Sequence, residues 1–262
     1  MARPLIALLT DFGLRDHYVG TMKGIMLGIC PEASLVDISH DVAPQDVLGA
    51  ALELAAAYRY FPSGTIFLVV VDPGVGSTRR AIAVDAGGYR FVAPDNGVLS
   101  LVVERSPLSS AVELTASEYA RATISKTFEG RDRFAPAAAW LATGVPLTAL
   151  GRPAPPLVTL EVPSPRATAA GIDGTVLRVD RFGNLITNID QATLRKLSGA
   201  VTVQIGSHVI PRIVATYAEA KAGELCALVG SSDHLEIAVN GGSAAATVGQ
   251  GRGAMVQLRA SA

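Results

Sequence analysis

Thr65 to Val71 reads TIFLVVV, as apolar and β-branched as any segment of the chain, and it runs straight into Asp72-Pro73-Gly74-Val75-Gly76. Such a run favours a strand. A strand that is apolar at every position, rather than at alternate ones, has both faces covered, which is the pattern of a central parallel strand in an α/β sheet. Helices are then required on both sides. The C-terminal tip of that strand carries Asp72, and strand tips of this kind are where open α/β sheets keep their sites.

The neighbouring segments agree with this reading. Pro4 to Leu9 is another continuous apolar run, ending in Thr10-Asp11-Phe12-Gly13. It reads as a first buried strand rather than a signal segment, because it is too short for an h-region and meets Asp11 where a cleavage site would fall. From His17 to Ile29, Val19, Met22, Ile25, Met26 and Ile29 recur at helical spacing until Pro31 stops them. Leu35 to Ile38 is a short second strand, and Val47 to Tyr60 is Ala- and Leu-rich with strong helix propensity. Ala81 to Val84 and Tyr89 to Ala93 flank Ala86-Gly87-Gly88 as a hairpin. Pro94 to Gly97 is a further turn, with the apolar run Val98 to Val103 continuing beyond it, and Phe134 to Thr143 looks helical up to Gly144.

Arg152 to Pro165 carries Pro153, Pro155, Pro156, Pro163 and Pro165, which suits an extended connector. The expected organisation is an N-terminal mostly parallel α/β sandwich domain over 1–152, a Pro-rich linker over 153–168, and a smaller β-barrel-like domain over 169–262. In the last part the runs Gly174 to Asp180, Leu185 to Ile189, Val201 to Ile205, His208 to Ile213, Leu225 to Val229, Leu235 to Val239 and Ala254 to Leu258 are short and separated by turn residues.

Composition removes several function classes. The net charge is -1, with 22 basic and 23 acidic residues interspersed, so no basic patch marks nucleic acid or an anionic membrane as a partner. Every apolar stretch is interrupted by Gly, Pro or a charge before the roughly 18 to 20 residues needed to cross a bilayer. Cys30 and Cys226 lie far apart in apolar surroundings and read as reduced core residues, which favours the cytoplasm. There is no GxxxxGK[ST], no GxGxxG after a strand, no HExxH and no GxSxG. The four histidines, His17, His40, His208 and His234, lack metal-ligand spacing, and each reads as a surface or capping residue.

Four polar clusters remain at expected strand ends. Thr10-Asp11 serves a site or caps the next helix. Asp72 to Arg80 has two glycines that permit close approach of a ligand, or forms a tight turn with solvated arginines. Thr127-Phe128-Glu129-Gly130-Arg131-Asp132 sets acid and base around a glycine before a helix, or is a charge pair at a helix start. Asp180-Arg181-Phe182-Gly183-Asn184 is a ligand contact or a plain β-turn.

Together, the strings LLTDFG, DPGVGSTRR, TFEGRD and DRFGNLITNI, with SSDHLEIAVNGGSA near the end, resemble in order and spacing the S-adenosylmethionine (SAM) hydroxide adenosyltransferases, relatives of the SAM-dependent fluorinase and chlorinase. The resemblance covers nearly the whole chain. It implies a soluble enzyme that substitutes at the 5′ carbon of SAM, giving adenosine and methionine when water attacks, with SAM as substrate and no other cofactor or metal. It also implies a homotrimer whose sites lie between subunits. By motif, Asp11 would hold the ribose hydroxyls, Asp180 and Asn184 the methionine part, and Ser231 and Ser232 with Tyr217 would enclose the adenine. Asp72 and Arg79 match two members of the Asp, Arg and His set that surrounds the water in hydrolytic members. The third position, inside TFxGRD, is Glu129, followed by Gly130.

The chemistry suits these residues. A sulfonium leaves as a neutral thioether, so no general acid is required. Water must be held in line with the C5′–S bond, and such positioning can lower a barrier by up to roughly 7 to 11 kcal/mol in ideal cases. Asp72 can accept its proton and Arg79 can orient it. Glu129 is expected to act with Asp72 as a coupled acidic pair. The alternatives are a chlorinase, for which Gly130 would leave room, and a SAM or adenosine binding protein with little turnover.

Overall fold

A computed structural model describes residues 3–260. The chain divides into two compact units, one ending at Glu161 and one beginning at Val162, inside the Pro-rich connector.

In the first unit, β1 (Leu5–Thr10), β2 (Ser34–Ser39) and β3 (Ile66–Val70) are followed by β4 (Ala81–Ala86), β5 (Tyr89–Pro94), β6 (Leu108–Leu114) and β7 (Gly151–Pro153). They form one sheet in the order β2-β1-β3-β5-β4-β6-β7. Pairing is parallel from β2 through β1 and β3 to β5, and antiparallel from β5 outward. The helices are α1 (Tyr18–Ile29), α2 (Val47–Ala57), α3 (Ser100–Arg105) and α4 (Ala135–Ala142).

Strand alternation divides the core into two layers. Ile6, Leu8, Ile66, Leu68 and Val70 pack with Met22 and Met26 of α1 and the alanines of α4. Ala7, Leu9, Phe67, Val69 and Val71 face the other way, against Ala50 and Leu54 of α2 and Val102 of α3. β3 is therefore buried at every position. Removing each such side chain from water is worth about 1.5–3 kcal/mol, which makes β3 a rigid mount for whatever follows it. The Asp46 carboxylate caps α2 by accepting the Gly49 N–H at 2.9 Å.

Some expectations need correcting. The apolar run Val98 to Val103, given no element from sequence, leads into α3 after a turn at Gly97, and Leu99 and Val102 enter the α2-side core. Tertiary burial overrides the strand preference of its valines. The helix after Val47 ends at Ala57, with one 3-10 turn at Tyr58–Tyr60. His208 to Ile213 is broken at Pro211-Arg212 into two short strands. β6 was not anticipated.

The second unit contains β8 (Arg166–Thr168), β9 (Gly171–Val179), β10 (Leu185–Asp190), β11 (Val201–Ile205), β12 (His208–Ile210), β13 (Ile213–Val214), β14 (Leu225–Val229), β15 (His234–Val239) and β16 (Met255–Ala260), with short helices α5 (Gln191–Leu194) and α6 (Ala244–Val248). Its main path is β12-β11-β16-β9-β10-β15-β14-β13, with β8 added beside β9. The path curls so that β11 and β12 approach β13 and β14 around a core of Ile172, Leu185, Val203, Ile237 and Leu258. This is the barrel-like unit that the alternating runs specify.

Candidate active site

The loop after β3 folds back on itself. Val75 N–H donates to Asp72 O at 3.2 Å, Ser77 N–H to Gly74 O at 3.0 Å, and Arg79 N–H to Ser77 Oγ at 3.2 Å. This returns Arg79 to the residue that opened the loop. Arg79 Nε donates to Asp72 Oδ1 at 3.0 Å and Oδ2 at 2.9 Å, and Nη2 donates to Oδ2 at 2.5 Å. The other edge of the guanidinium reaches Glu129, with Nη1 3.2 Å from Oε2, while its Cζ lies 5.2 Å from the centre of the Phe134 ring. Arg133 Nε stands 3.3 Å from the same Glu129 oxygen.

The Asp72, Glu129 and Arg79 side chains are only 5%, 9% and 10% exposed, so the network is screened little by salt. Burial opposes the charge on Arg79, but hydrogen bonds and attraction from Asp72 and Glu129 outweigh it and hold its pKa above the usual arginine value.

Glu129 is aimed by a single π-helical turn, Gly130–Phe134, that leads into α4. Asp132 anchors that turn. It is fully buried and accepts from Arg131 Nε at 2.7 Å, Arg131 Nη2 at 2.8 Å and Ser125 N–H at 2.8 Å, with Arg121 Nε 3.2 Å away. Burial pushes its carboxyl up, yet the Arg131 and Ser125 donors prevail and hold it below the ordinary aspartate range. Gly130 does not open a space: a Cβ there would stand 3.1 Å from Met22 Sδ and 3.3 Å from the Phe128 ring. The room expected for chloride is filled by side chains.

Asp11 leaves the same sheet edge. Because Thr10 pairs with Val70 in the β1–β3 register, Asp11 emerges one residue short of Asp72 on the neighbouring strand. Its carboxylate is engaged by Gln45 N–H at 2.8 Å, just before α2, rather than by Arg79. The structure thus joins Asp72, Arg79 and Glu129 by direct ion pairs and sets Asp11 beside them, outside that network.

In the second unit, Asp180 organises its turn by accepting Phe182 N–H and Asn184 N–H at 2.9 Å each and Asn184 Nδ2 at 3.0 Å. A cleft of about 560 Å³ opens beside it, lined by Phe182, Asn184, Tyr217 and Val239 to Gly242. Tyr217 O–H donates to the buried Glu236 at 2.5 Å. Burial and Asp180 raise the Glu236 carboxyl, against the opposing pull of Tyr217 and Arg178. Ser231 and Ser232 lie in the β14–β15 turn and are not among the residues lining the cleft.

Sequence reasoning missed His40 and Glu236. His40 is 4% exposed and hydrogen-bonded to Thr10, not a surface residue. The signal was its place directly after a short parallel strand. For Glu236 it was a lone acid inside the apolar run HLEIAV. Among the described residues, no three His, Cys, Asp or Glu side chains are grouped as a metal site requires.

The chain matches the SAM hydroxide adenosyltransferase N-terminal domain over residues 6–151 and the C-terminal domain over residues 174–257. A protein named (R)-S-adenosyl-L-methionine hydrolase from Salinispora tropica is 41% identical over 249 residues, covering 94% of each chain. One of the same name from Thermus thermophilus is 40% identical over 260 residues, covering 97% of this chain and 98% of its own. A fluorinase from an Actinoplanes species is 30% identical, covering 90% and 91%. The solved structure of an uncharacterized conserved protein from Thermotoga maritima superposes with a TM-score of 0.91 at 37% identity, covering 97% of this chain and 99% of that one. Spanning both domains in order, this chain belongs to the SAM hydroxide adenosyltransferase family.

Proposed function

We propose that the protein hydrolyses S-adenosyl-L-methionine to adenosine and L-methionine. The observation that carries this reading is the buried Asp72–Arg79–Glu129 network at the tip of β3, in a chain whose hydrolase-named relatives align from end to end. Water attacks the 5′ carbon in line with the C5′–S bond. That bond's electron pair goes to sulfur, which departs as a neutral thioether, and the water's proton passes to carboxylate and then solvent. No cofactor is called for, because the substrate brings its own leaving group.

Asp72 accepts a proton from the water, and Arg79 orients the water and offsets charge on the two acids. Both cations at Glu129 engage Oε2, which leaves Oε1 to accept a hydrogen bond from the same water. Asp11 takes the ribose hydroxyls. Asp180 and Asn184 take the methionine part, and Tyr217, with Ser231 and Ser232, borders the adenine. Gly130, next to Glu129, is a further substrate contact. The reading includes a cytoplasmic homotrimer in which one subunit's cleft completes a neighbour's Asp72 cluster. No helix among the described residues is long and apolar enough to cross a membrane.

The test is product identification after incubating pure protein with SAM, with and without chloride. Adenosine and methionine in both samples is the expected result. A 5′-chloro-5′-deoxyadenosine product, or saturable binding without turnover, overturns it.

A further inference from the structure

Asp11 stands between residues held by one buried histidine. His40 Nδ1 lies 2.8 Å from Thr10 Oγ1, and the His40 carbonyl accepts Gly13 N–H at 2.8 Å. Thr10 Oγ1 also accepts Phe12 N–H at 3.3 Å. On the far edge of the ring, Nε2 faces Asp37 Oδ1 at 3.0 Å, and Lys23 Nζ donates to Asp37 Oδ2 at 2.6 Å.

A carboxylate only accepts, so the ring edge facing Asp37 is Nε2–H, and the opposite edge, Nδ1, is joined to the Thr10 hydroxyl. Phe12 N–H donates to Thr10 Oγ1, that hydroxyl and His40 Nδ1 share one hydrogen bond, and His40 Nε2 stands at ion-pair distance from Asp37. Burial pushes Asp37 up, but Lys23 and His40 outweigh it and hold it below the ordinary aspartate range, as an acceptor must be. His40 directly follows β2 and so ties the tips of two parallel strands, with α1 braced behind through Lys23.

We propose that His40 is a positioning residue for nucleoside recognition: through Thr10 and Gly13 it fixes the backbone on both sides of Asp11 and aims the Asp11 carboxylate at the ribose hydroxyls. This rests on the reading of Asp11 given above. His40 touches no substrate; it acts through the two flanks.

The experiment is direct calorimetric titration of adenosine and 2′-deoxyadenosine into the full-length wild type, His40→Ala and Thr10→Val, with a thermal melt of each. Wild type is expected to favour adenosine by about tenfold or more, since a hydrogen bond to a charged group is lost with the hydroxyl. Both variants should weaken adenosine by about tenfold while leaving 2′-deoxyadenosine within about twofold, so that the preference collapses. Thr10→Val keeps the shape of the buried residue and reads the same bond if His40→Ala folds poorly. A general lesion weakens both nucleosides alike, and that result, or an unchanged preference in both variants, overturns the proposal. Wild type that binds the two nucleosides equally removes the Asp11 reading and this one with it. Wild type that discriminates but does not consume SAM overturns only the proposed hydrolysis.

Discussion

The backbone carbonyl of Lys126 packs directly against Gly76, so closely that a Cβ on Gly76 would overlap it. Gly76 has φ +76°. This approach seats the loop after β3 against the segment carrying Glu129, and it lets one guanidinium reach from Asp72 to Glu129.

Gly76→Ala is therefore expected to damage rate more than fold. Left-handed backbone costs a non-glycine residue about 1–2 kcal/mol, which lowers Tm by roughly 2–8 °C for a chain of this size. The overlap with a main-chain carbonyl cannot be relieved by a rotamer change, so the two loops must part. A displacement near 1 Å is worth about a hundredfold in kcat/KM. Gly144→Ala is the control: its φ is +96°, nothing lies within 4 Å of the added carbon, and it sits past α4. Comparable Tm loss in both variants with kinetics impaired only in Gly76→Ala is the expected outcome; equal kinetics would show that the loop contact does not set the network.

Glu129 shares Arg79 with Asp72 and has Arg133 against it, so two acids are balanced by two cations. Glu129→Gln keeps the shape and removes one negative neighbour of Asp72. The rate–pH profile is expected to change from that of wild type, with kcat reduced by about one to two orders of magnitude. Glu129→His should keep more of the rate, because a ring nitrogen can hold the same water. Profiles superimposable on wild type in both variants would rule out the coupled pair.

The parts of this molecule legible in its sequence are those where one local rule acts alone. TIFLVVV has nowhere to go but the middle of a parallel sheet, and the helical spacing of Val19, Met22 and Met26 yields α1 as expected. Val98 to Val103 follows no single rule: its valines favour a strand, yet the segment is buried on the α2 side largely as a short helix. The loop clusters were found because their residues are polar where the chain should be apolar. His40 escaped because its partners, Thr10 and Asp37, come from two strands, and only the β1–β2 pairing makes them neighbours. Glu236 escaped for a similar reason, since Tyr217 meets it across the β-unit.

Asp132 predicts the acid limb of stability. Its pKa is held below the ordinary aspartate value in the fold. The stabilisation is therefore fully present above that ordinary value and is lost as pH falls through the folded one. Asp132→Asn should cost about 2–3 kcal/mol at pH 7, the scale of hydrogen bonds to a buried charge. The gap from wild type should narrow below about pH 4, where the unfolded carboxylate protonates. Urea melts at both pH values check this; a constant gap would mean that packing, not charge, carries the effect.

Glu236 runs in the opposite sense. Burial first, and then the negative charge of Asp180, hold its carboxyl above the ordinary glutamate value even though Tyr217 donates to it. As pH rises, the unfolded chain ionises before the folded one, so the ionised group costs stability at neutral pH, and that cost disappears below the ordinary glutamate value. Glu236→Gln keeps an acceptor for the Tyr217 hydroxyl and has no charge to bury. Relative to wild type it should gain stability between about pH 4 and pH 7, whereas Tyr217→Phe should lose about 1–3 kcal/mol by stripping a buried carboxylate of its donor. Because the hydroxyl then donates to a neutral acceptor instead of a charged one, Tyr217→Phe should cost about 0.5–3 kcal/mol less beside Glu236→Gln than it does alone. Additive effects, with a Glu236→Gln difference that is flat in pH, would show that the fold neither opposes that charge nor uses it to hold the Tyr217 ring at the cleft.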